Sequence, residues 1–132
     1  MKTGDLGAEY PDGALIFRQG DKGDCMYVVL EGKVEVYLER DGQVVPIRMC
    51  REGDFLGEMA LFQGEVRSAS ARSVGGVRLL TVDKKNFLRR IKEDPTMAFR
   101  LVQELSKRIR ELDEDLAVLS RALQDCMNEQ IN

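Results

Sequence analysis

Residues 56–71 read LGEMALFQGEVRSASA, a stretch in which glycines flank a short apolar segment and an arginine follows. The segment from Glu58 to Leu61 consists of helix-forming residues but is too short to be a core helix on its own. It lies between the glycine-rich approach of Gly53 and Gly57 and an alternating, strand-like run. A short turn of this kind is typical of a binding site and not of the scaffold.

The residue types in this stretch suit a small anion that also carries hydroxyl groups. Gly57 lets the backbone approach closely, and the N–H groups at the start of a one-turn helix point outward toward an anion. Arg67 can pair its planar guanidinium with phosphate oxygens, and Ser68 can add a hydroxyl donor. Glu58 only accepts hydrogen bonds, so it suits a sugar hydroxyl. These residues predict a ribose-phosphate site; the alternative is a tight turn with an ordinary surface ion pair between Glu58 and Arg67.

The stretch resembles the phosphate-binding cassette of the cyclic-nucleotide-binding domain family, which includes the bacterial catabolite activator and the regulatory subunits of cyclic-AMP-dependent protein kinase. In that pattern a Gly-Glu pair precedes a small apolar turn, and an arginine followed by small or hydroxyl residues comes later. The residues that match the pattern are Gly57, Glu58, Ala60, Leu61, Arg67, Ser68 and Ala69. The resemblance extends over nearly the whole chain through Pro11, Gly13, Gly20, Gly32, Gly53 and Phe87. Val66 departs from the pattern, since kinase-type members often have proline there.

Composition limits the possible functions. At 132 residues the chain is long enough for one domain that needs no disulfide or metal. The three cysteines are widely spaced, which favours reduced thiols over a disulfide framework or a metal site. The absence of histidine excludes zinc hydrolysis, a histidine-based triad and histidine-ligated haem. We therefore expect no cofactor, no metal and no enzymatic activity.

Charge and hydropathy limit the partners. A net charge of -3 at pH 7 argues against direct binding to nucleic acid, because such proteins normally carry a basic face. No apolar run has the length needed to cross a membrane. Residues 1–10 are polar and glycine-rich, unlike a signal peptide, so we expect a cytoplasmic protein.

Glycines separate short apolar runs along the first two-thirds of the chain, a spacing typical of a β-sandwich or barrel. The predicted strands are Ala14–Arg18, Met26–Glu31, Lys33–Glu39, Val44–Cys50, Ser68–Ser73 and Val77–Asp83. Asp41-Gly42 predicts a hairpin turn, because both residue types tolerate a positive φ. The resemblance implies an eight-stranded, jelly-roll-like double-stranded β-helix. The predicted fold class is mainly β with C-terminal helices.

The periodicity becomes helical from Lys84 onward. Asp83 is a suitable N-cap for a short helix that ends near Ile91. Asp94-Pro95 then begins a long helix with proline in its tolerated first position. The predicted division is a β-domain with the short helix over residues 1–93 and a dimerisation helix over residues 94–132.

The long helix carries an apolar seam with heptad spacing. Its positions are Ala98, Val102, Leu105, Ile109, Leu112, Leu116, Leu119, Leu123 and Cys126. β-Branched residues at a and leucine at d in the first half favour a parallel two-stranded coil, and hence a homodimer. The alternative is that the stripe packs on the β-domain of its own chain.

The resemblance implies a receptor for a cyclic nucleotide, foremost cyclic AMP and possibly cyclic GMP, whose long helix is repositioned by the ligand. The residues expected at the ligand are Gly57, Glu58, Met59, Ala60, Arg67, Ser68 and Ala69 in the cassette and Arg108, Leu112 and Asp113 in the helix. Leu112 and Asp113 fall where the bacterial activator has a Thr-Ser pair that meets adenine. Leu112 offers no hydrogen bond, and Asp113 can accept one from the amino group of either purine. A slip of one residue in the helix would bring Arg108 or Arg110 to the base instead.

Other interpretations remain open at this point. The chain can be the sensing half of a catabolite-activator-type transcription regulator, or a dimerisation protein whose cassette no longer binds. A cupin-type β-barrel enzyme is a further class, although the chain lacks the histidines and clustered carboxylates that hold its metal.

Overall fold

The computed structural model describes residues 7–64 and 66–131. The elements, in chain order, are β1 (Ala8–Tyr10), β2 (Leu15–Phe17), β3 (Cys25–Arg40), β4 (Gln43–Cys50), β5 (Phe55–Leu56), α1 (Glu58–Gln63), β6 (Ser70–Asp83), α2 (Lys84–Glu93) and α3 (Thr96–Ile131). The chain forms two compact units, of which the first ends at Glu93 and the second begins at Asp94. None of the helices within the described ranges is long and apolar enough to cross a membrane. The expectation of no signal peptide rests partly on residues 1–6, which lie outside these ranges.

Two long strands, β3 and β6, form the frame of the first unit. They pair antiparallel along nearly their whole length, from Cys25 opposite Asp83 to Tyr37 opposite Ser70. Strand β5 extends the sheet beside the first half of β3 and β4 beside its second half. Strands β2 and β1 lie beside the first and second halves of β6. This antiparallel sheet with C-terminal helices confirms the predicted fold class.

The structure joins strands that the sequence pattern separates. Met26–Glu31 and Lys33–Glu39 are parts of β3, and most of Ser68–Ser73 and all of Val77–Asp83 are parts of β6. The glycines between these runs lie within the strands, because register shifts near Gly32 let the ladder continue past it. The described residues therefore contain six strands, where the resemblance implied eight. Strands β1 and β5 were not predicted, since three and two residues are too few to show an alternating pattern.

The core of the first unit is formed by apolar side chains of β3, β6 and their neighbours. Its buried members are Val29, Val34, Val36, Cys50, Leu56, Ala69, Ala71, Val77 and Leu79. Two buried serines of β6 link this core to β2. The hydroxyls of Ser70 and Ser73 accept hydrogen bonds from the backbone N–H groups of Gln19 and Ala14, each at 2.8 Å. These bonds hold the β2 segment, which contains Phe17, against β6.

Both predicted helix starts are confirmed by their caps. Asp83 Oδ1 accepts a hydrogen bond from the Asn86 N–H at 2.8 Å at the start of α2. Asp94 Oδ1 accepts one from the Thr96 N–H at 3.0 Å at the start of α3. Hydrogen bonds from the Thr96 side chain and backbone lower the pKa of Asp94, because they favour its charged form.

The bend of β3 at Gly32 generates a stability prediction. Gly32 has a φ of 92°, and a Cβ there would lie 2.5 Å from the Gly76 carbonyl oxygen. Gly42, in the confirmed Asp41-Gly42 hairpin turn, has a φ of 77° but open space around it. We expect Gly42→Ala to cost about 1 to 2 kcal/mol through backbone strain alone. Gly32→Ala should cost about 1 to 3 kcal/mol more, because its methyl group also overlaps backbone.

Chemical denaturation of the two variants measures this difference in the free energy of unfolding. Equal losses would contradict a close contact between the two long strands at Gly32.

Candidate functional site

The predicted one-turn helix of the cassette is present as α1. Gly57 precedes it with a left-handed φ of 77°, and Gly64 ends it in the same conformation. The turn buries Glu58 and Ala60, whereas Met59 is 51% exposed. Glu58 is therefore buried at the start of a short helix that has a glycine at each end.

Arg67 lies in an extended segment that is held by the loop before β3. Its N–H donates to the Asp21 carbonyl at 2.7 Å, and its carbonyl accepts from the Gly20 N–H at 2.8 Å. The neighbouring residue, Val66, forms an isolated bridge with Lys22. The backbone of Arg67 is thus fixed on both sides before β6 begins.

The guanidinium of Arg67 is buried, with the residue only 5% exposed. Nη1 donates a hydrogen bond to the Gly57 carbonyl at 3.0 Å, and Nη2 lies 3.5 Å from Cys25 Sγ. The guanidinium carbon lies 4.4 Å from the centre of the Phe17 ring and 5.8 Å from that of Tyr27. The two rings are stacked on each other, and their electron-rich faces attract the cation. This attraction stabilises the buried charge of Arg67.

Two glycines provide the space that this guanidinium occupies. A Cβ at Gly23 would overlap Nε, and one at Gly57 would overlap Nη1. Gly57 was predicted to allow a close approach of the backbone. It also leaves room for the Arg67 side chain. Arg67 lies between the loop of Gly23 and the start of α1.

The tyrosine near Arg67 stays neutral over a wide pH range. Burial first, and then a hydrogen bond with Cys25, raise the pKa of Tyr27. The hydroxyl therefore does not ionise near neutral pH, and no phenolate competes for the Arg67 charge.

A cavity of about 130 Å³ opens beside the cassette. It is lined by Phe17, Val36, Ile47, Arg48, Gly57, Glu58, Met59, Ala60, Val66, Arg67, Ser68 and Ala69. All seven cassette residues predicted at the ligand are in this lining. Glu58 and Arg67 are each 5% exposed, so a surface ion pair does not describe them.

The predicted base-contacting residues lie elsewhere in the chain. Arg108, Leu112 and Asp113 are on α3, in the second compact unit, and are not among the described residues that line the cavity. Arg108 donates a hydrogen bond to Glu104 Oε1 at 2.9 Å along the helix. Leu112 is 60% exposed, and Asp113 is exposed. Their role at the base stays a prediction.

The sequence did not indicate Phe17, Val36, Ile47 and Arg48 in the cavity lining, nor Gly23 and Tyr27 beside Arg67. They lie far from Arg67 in sequence, and only strand pairing and loop contacts bring them together, so no local motif indicated them. Within the described ranges, no cluster of acidic and cysteine side chains could hold a metal ion. At the cavity, Arg67 offers N–H donors and Glu58 offers carboxylate acceptors.

Comparison with known proteins agrees with this geometry. The profile of the family described as "Cyclic nucleotide-binding domain" matches residues 8–94. The cyclic AMP receptor protein of Thermus thermophilus is 38% identical over 112 residues, which are 84% of this chain and 52% of that protein. A cGMP-dependent protein kinase of Caenorhabditis elegans is 42% identical over 81 residues, 59% of this chain and 10% of the kinase.

A solved structure gives the same result. The crystal structure of the Thermus thermophilus catabolite activator protein aligns with a TM-score of 0.76 and 37% identity, over 86% of this chain and 54% of that one. The chain belongs to the cyclic-nucleotide-binding domain family, as the cassette indicated. It spans about half the length of the Thermus protein.

The close approach of Gly23 to Arg67 yields a structural prediction. In Gly23→Ala the new methyl group should displace the guanidinium and break its hydrogen bond to the Gly57 carbonyl. Because the displaced atoms end a flexible side chain, the free energy of unfolding should change by less than about 1 kcal/mol. A crystal structure and a denaturation curve of the variant measure both effects.

Gly76→Ala is the matched control, because its Cβ would meet nothing closer than the Tyr10 carbonyl oxygen at 4.0 Å. The control should leave Arg67 in place. An unmoved guanidinium in Gly23→Ala would refute the close contact between this glycine and the arginine.

Proposed function

We propose that this chain is a cyclic-nucleotide receptor domain, with cyclic AMP the foremost ligand and cyclic GMP the second. One observation carries the proposal: Arg67 and Glu58, both buried, line one cavity together with the other cassette residues. The relatives support both ligands, since one is named a cyclic AMP receptor protein and another a cGMP-dependent protein kinase. The function is binding and not catalysis.

Arg67 is proposed to neutralise the cyclic phosphate. The guanidinium has five N–H donors in one plane, and two of its contacts are to the Gly57 carbonyl and the weak acceptor Cys25 Sγ. Donors therefore remain for phosphate oxygens at the cavity. The Ser68 hydroxyl and the backbone N–H groups near Ala60 and Ala69 complete the anion site.

Glu58 is proposed to accept a hydrogen bond from the ribose. Glu58 lines the same cavity as Arg67. An acceptor and a cation at one cavity match a ligand that carries both a hydroxyl and a phosphate. A free phosphate alone would be repelled by the carboxylate.

The output is proposed to be a movement of α3. Nucleotide binding would tighten the turn from Gly57 to Leu61 and reposition the helix about the Asp94-Pro95 junction, with Arg108, Leu112 and Asp113 as candidates for contact with the base. A ligand can do this only as far as it binds one helix arrangement better than the other.

A second candidate is the sensing half of a transcription regulator. The aligned residues make up 52% of the Thermus cyclic AMP receptor protein, so they correspond to about half of that protein. The two candidates share one binding site and differ only in what the helix controls.

The first functional prediction concerns Arg67. Arg67→Ala should lose about 2 to 5 kcal/mol of cyclic AMP binding, roughly thirtyfold or more in affinity, because the bound anion is left unpaired. Glu58→Gln should lose on the order of 1 kcal/mol, since the amide keeps one acceptor for the ribose. Isothermal titration calorimetry measures both.

Arg72→Ala is the matched control. Arg72 is a β6 arginine that pairs with Glu35 at 2.6 Å and does not line the cavity. Its loss should leave the affinity unchanged. Unchanged affinity in Arg67→Ala would remove the site assignment. A larger loss in Glu58→Gln than in Arg67→Ala would mean that the proposed roles are wrong.

The second functional prediction is that the chain is a parallel homodimer through α3. Much of the predicted seam is exposed in the single chain, including Val102, Ile109, Leu112, Leu116, Leu119 and Leu123. Aspartate at both Leu112 and Leu116 would oppose like charges across the seam, so sedimentation should show only monomer.

Val118→Asp is the control for this experiment. Val118 is 70% exposed and lies off the seam, so this variant should sediment as the unmodified dimer. An unmodified chain that is monomeric both with and without cyclic AMP would rule out the pairing.

A further inference from the structure

A phenylalanine outside the cassette lies against the arginine of the cavity. Phe17 is in β2, and it lines the cavity together with Arg67. The centre of its ring is 4.4 Å from the Arg67 guanidinium carbon, whereas the centre of the Tyr27 ring is 5.8 Å away. A cation within about 6 Å of the face of an aromatic ring is attracted by the electron density of that face. Phe17 is therefore the nearer of the two rings that attract the Arg67 charge.

The position of the Phe17 ring is fixed by contacts that do not include the arginine. Buried serines of β6 hold both ends of the β2 segment, through hydrogen bonds from the N–H groups of Ala14 and Gln19. The ring also stacks on that of Tyr27, with the two centres 5.9 Å apart and an angle of 22° between the planes. Phe17 thus offers the arginine a surface whose orientation is already set.

The Arg67 guanidinium needs such a surface, because few other contacts restrain its plane. Arginine has a long side chain that loses much rotamer freedom when it is fixed. The hydrogen bond from Nη1 to the Gly57 carbonyl, at 3.0 Å, holds one point of the group. The second contact, from Nη2 to Cys25 Sγ at 3.5 Å, is to a weak acceptor. A ring against the face of the guanidinium restrains the plane of the whole group.

Contact with the face leaves the hydrogen-bond donors at the edge of the guanidinium. Its five N–H groups lie in the plane of the group and point outward, so an aromatic ring over the face occupies none of them. A site whose donors are already oriented loses less freedom when it binds an anion. A stacked guanidinium is therefore better prepared for a phosphate than one that can rotate.

We propose that Phe17 is a positioning residue, which holds the Arg67 guanidinium in the orientation that receives the phosphate of a cyclic nucleotide. The inference rests on the proposed cyclic-nucleotide function. It assigns to an aromatic residue of β2 a part of the phosphate affinity that the cassette pattern attributes to Arg67 alone. Because Phe17 lines the cavity, a direct contact between its ring and the nucleotide is the alternative explanation for any effect of its replacement.

A double-mutant cycle, with cyclic AMP as the ligand and calorimetry as the measurement, separates the two explanations. Phe17→Leu should lose about fivefold or more in affinity, because leucine fills the space but has no aromatic face. Phe17→Tyr keeps the face, so it should bind within about twofold of the unmodified chain. When Arg67→Ala is already present, Phe17→Leu should cost no more than about twofold further, because the group that it positions is gone.

Two further variants complete the experiment. Phe99→Leu makes the same change at an exposed phenylalanine of α3 that is not among the described residues lining the cavity, so it should leave the affinity unchanged. If Phe17→Leu does not fold, a ring-fluorinated phenylalanine in place of Phe17 serves, because fluorine withdraws electrons from the ring face with little change in shape. It should weaken binding about threefold in the presence of Arg67 and should have no effect in Arg67→Ala.

Equal losses from Phe17→Leu with and without Arg67 would overturn the proposal, because they would indicate an effect of the ring that does not act through the arginine. Unchanged affinity in Phe17→Leu or in the fluorinated chain would overturn it as well. An unmodified chain that binds no cyclic AMP would instead refute the proposed function, and this inference with it.

Discussion

The structure depends on the placement of one buried positive charge. Arg67 brings a guanidinium into the edge of a β-domain, where an unpaired charge would be strongly destabilising. Three features make that placement possible: the rings of Phe17 and Tyr27, the carbonyl of Gly57, and the lack of a side chain at Gly23. These particular contacts are to neutral groups, so they do not themselves neutralise the Arg67 charge.

The rest of the first unit can be understood as support for this arrangement. The long pairing of β3 with β6 fixes Tyr27 and the segment after Arg67 in one frame. The buried serines of β6 hold the β2 segment, and so fix Phe17. The glycine-bounded turn of α1 then directs Glu58 inward near the arginine. Distant parts of the chain thus converge on one cavity, and a change in any of them is expected to act on binding through the position of Arg67.

The sequence predicted the turns and helix caps correctly. The cassette turn, the Asp41-Gly42 hairpin and the caps at Asp83 and Asp94 were all predictable, because each depends on residues within a few positions. The continuity of β3 through Gly32 was not, since a glycine in an apolar run reads equally as a turn or as a bend within a strand. Arg48 and Phe17 could not be assigned to the site either, because the register of four strands brings them to one face.

The Arg67 guanidinium is proposed to receive the phosphate of a cyclic nucleotide. Nitrogen-resolved NMR of the arginine Nε–H groups tests it most directly, with the unmodified chain titrated first with adenosine and then with cyclic AMP. The Arg67 signal, identified by its loss in Arg67→Ala, should shift with cyclic AMP and stay in place with adenosine, which lacks the phosphate. A signal that stays unmoved while other resonances report cyclic AMP binding would contradict the account.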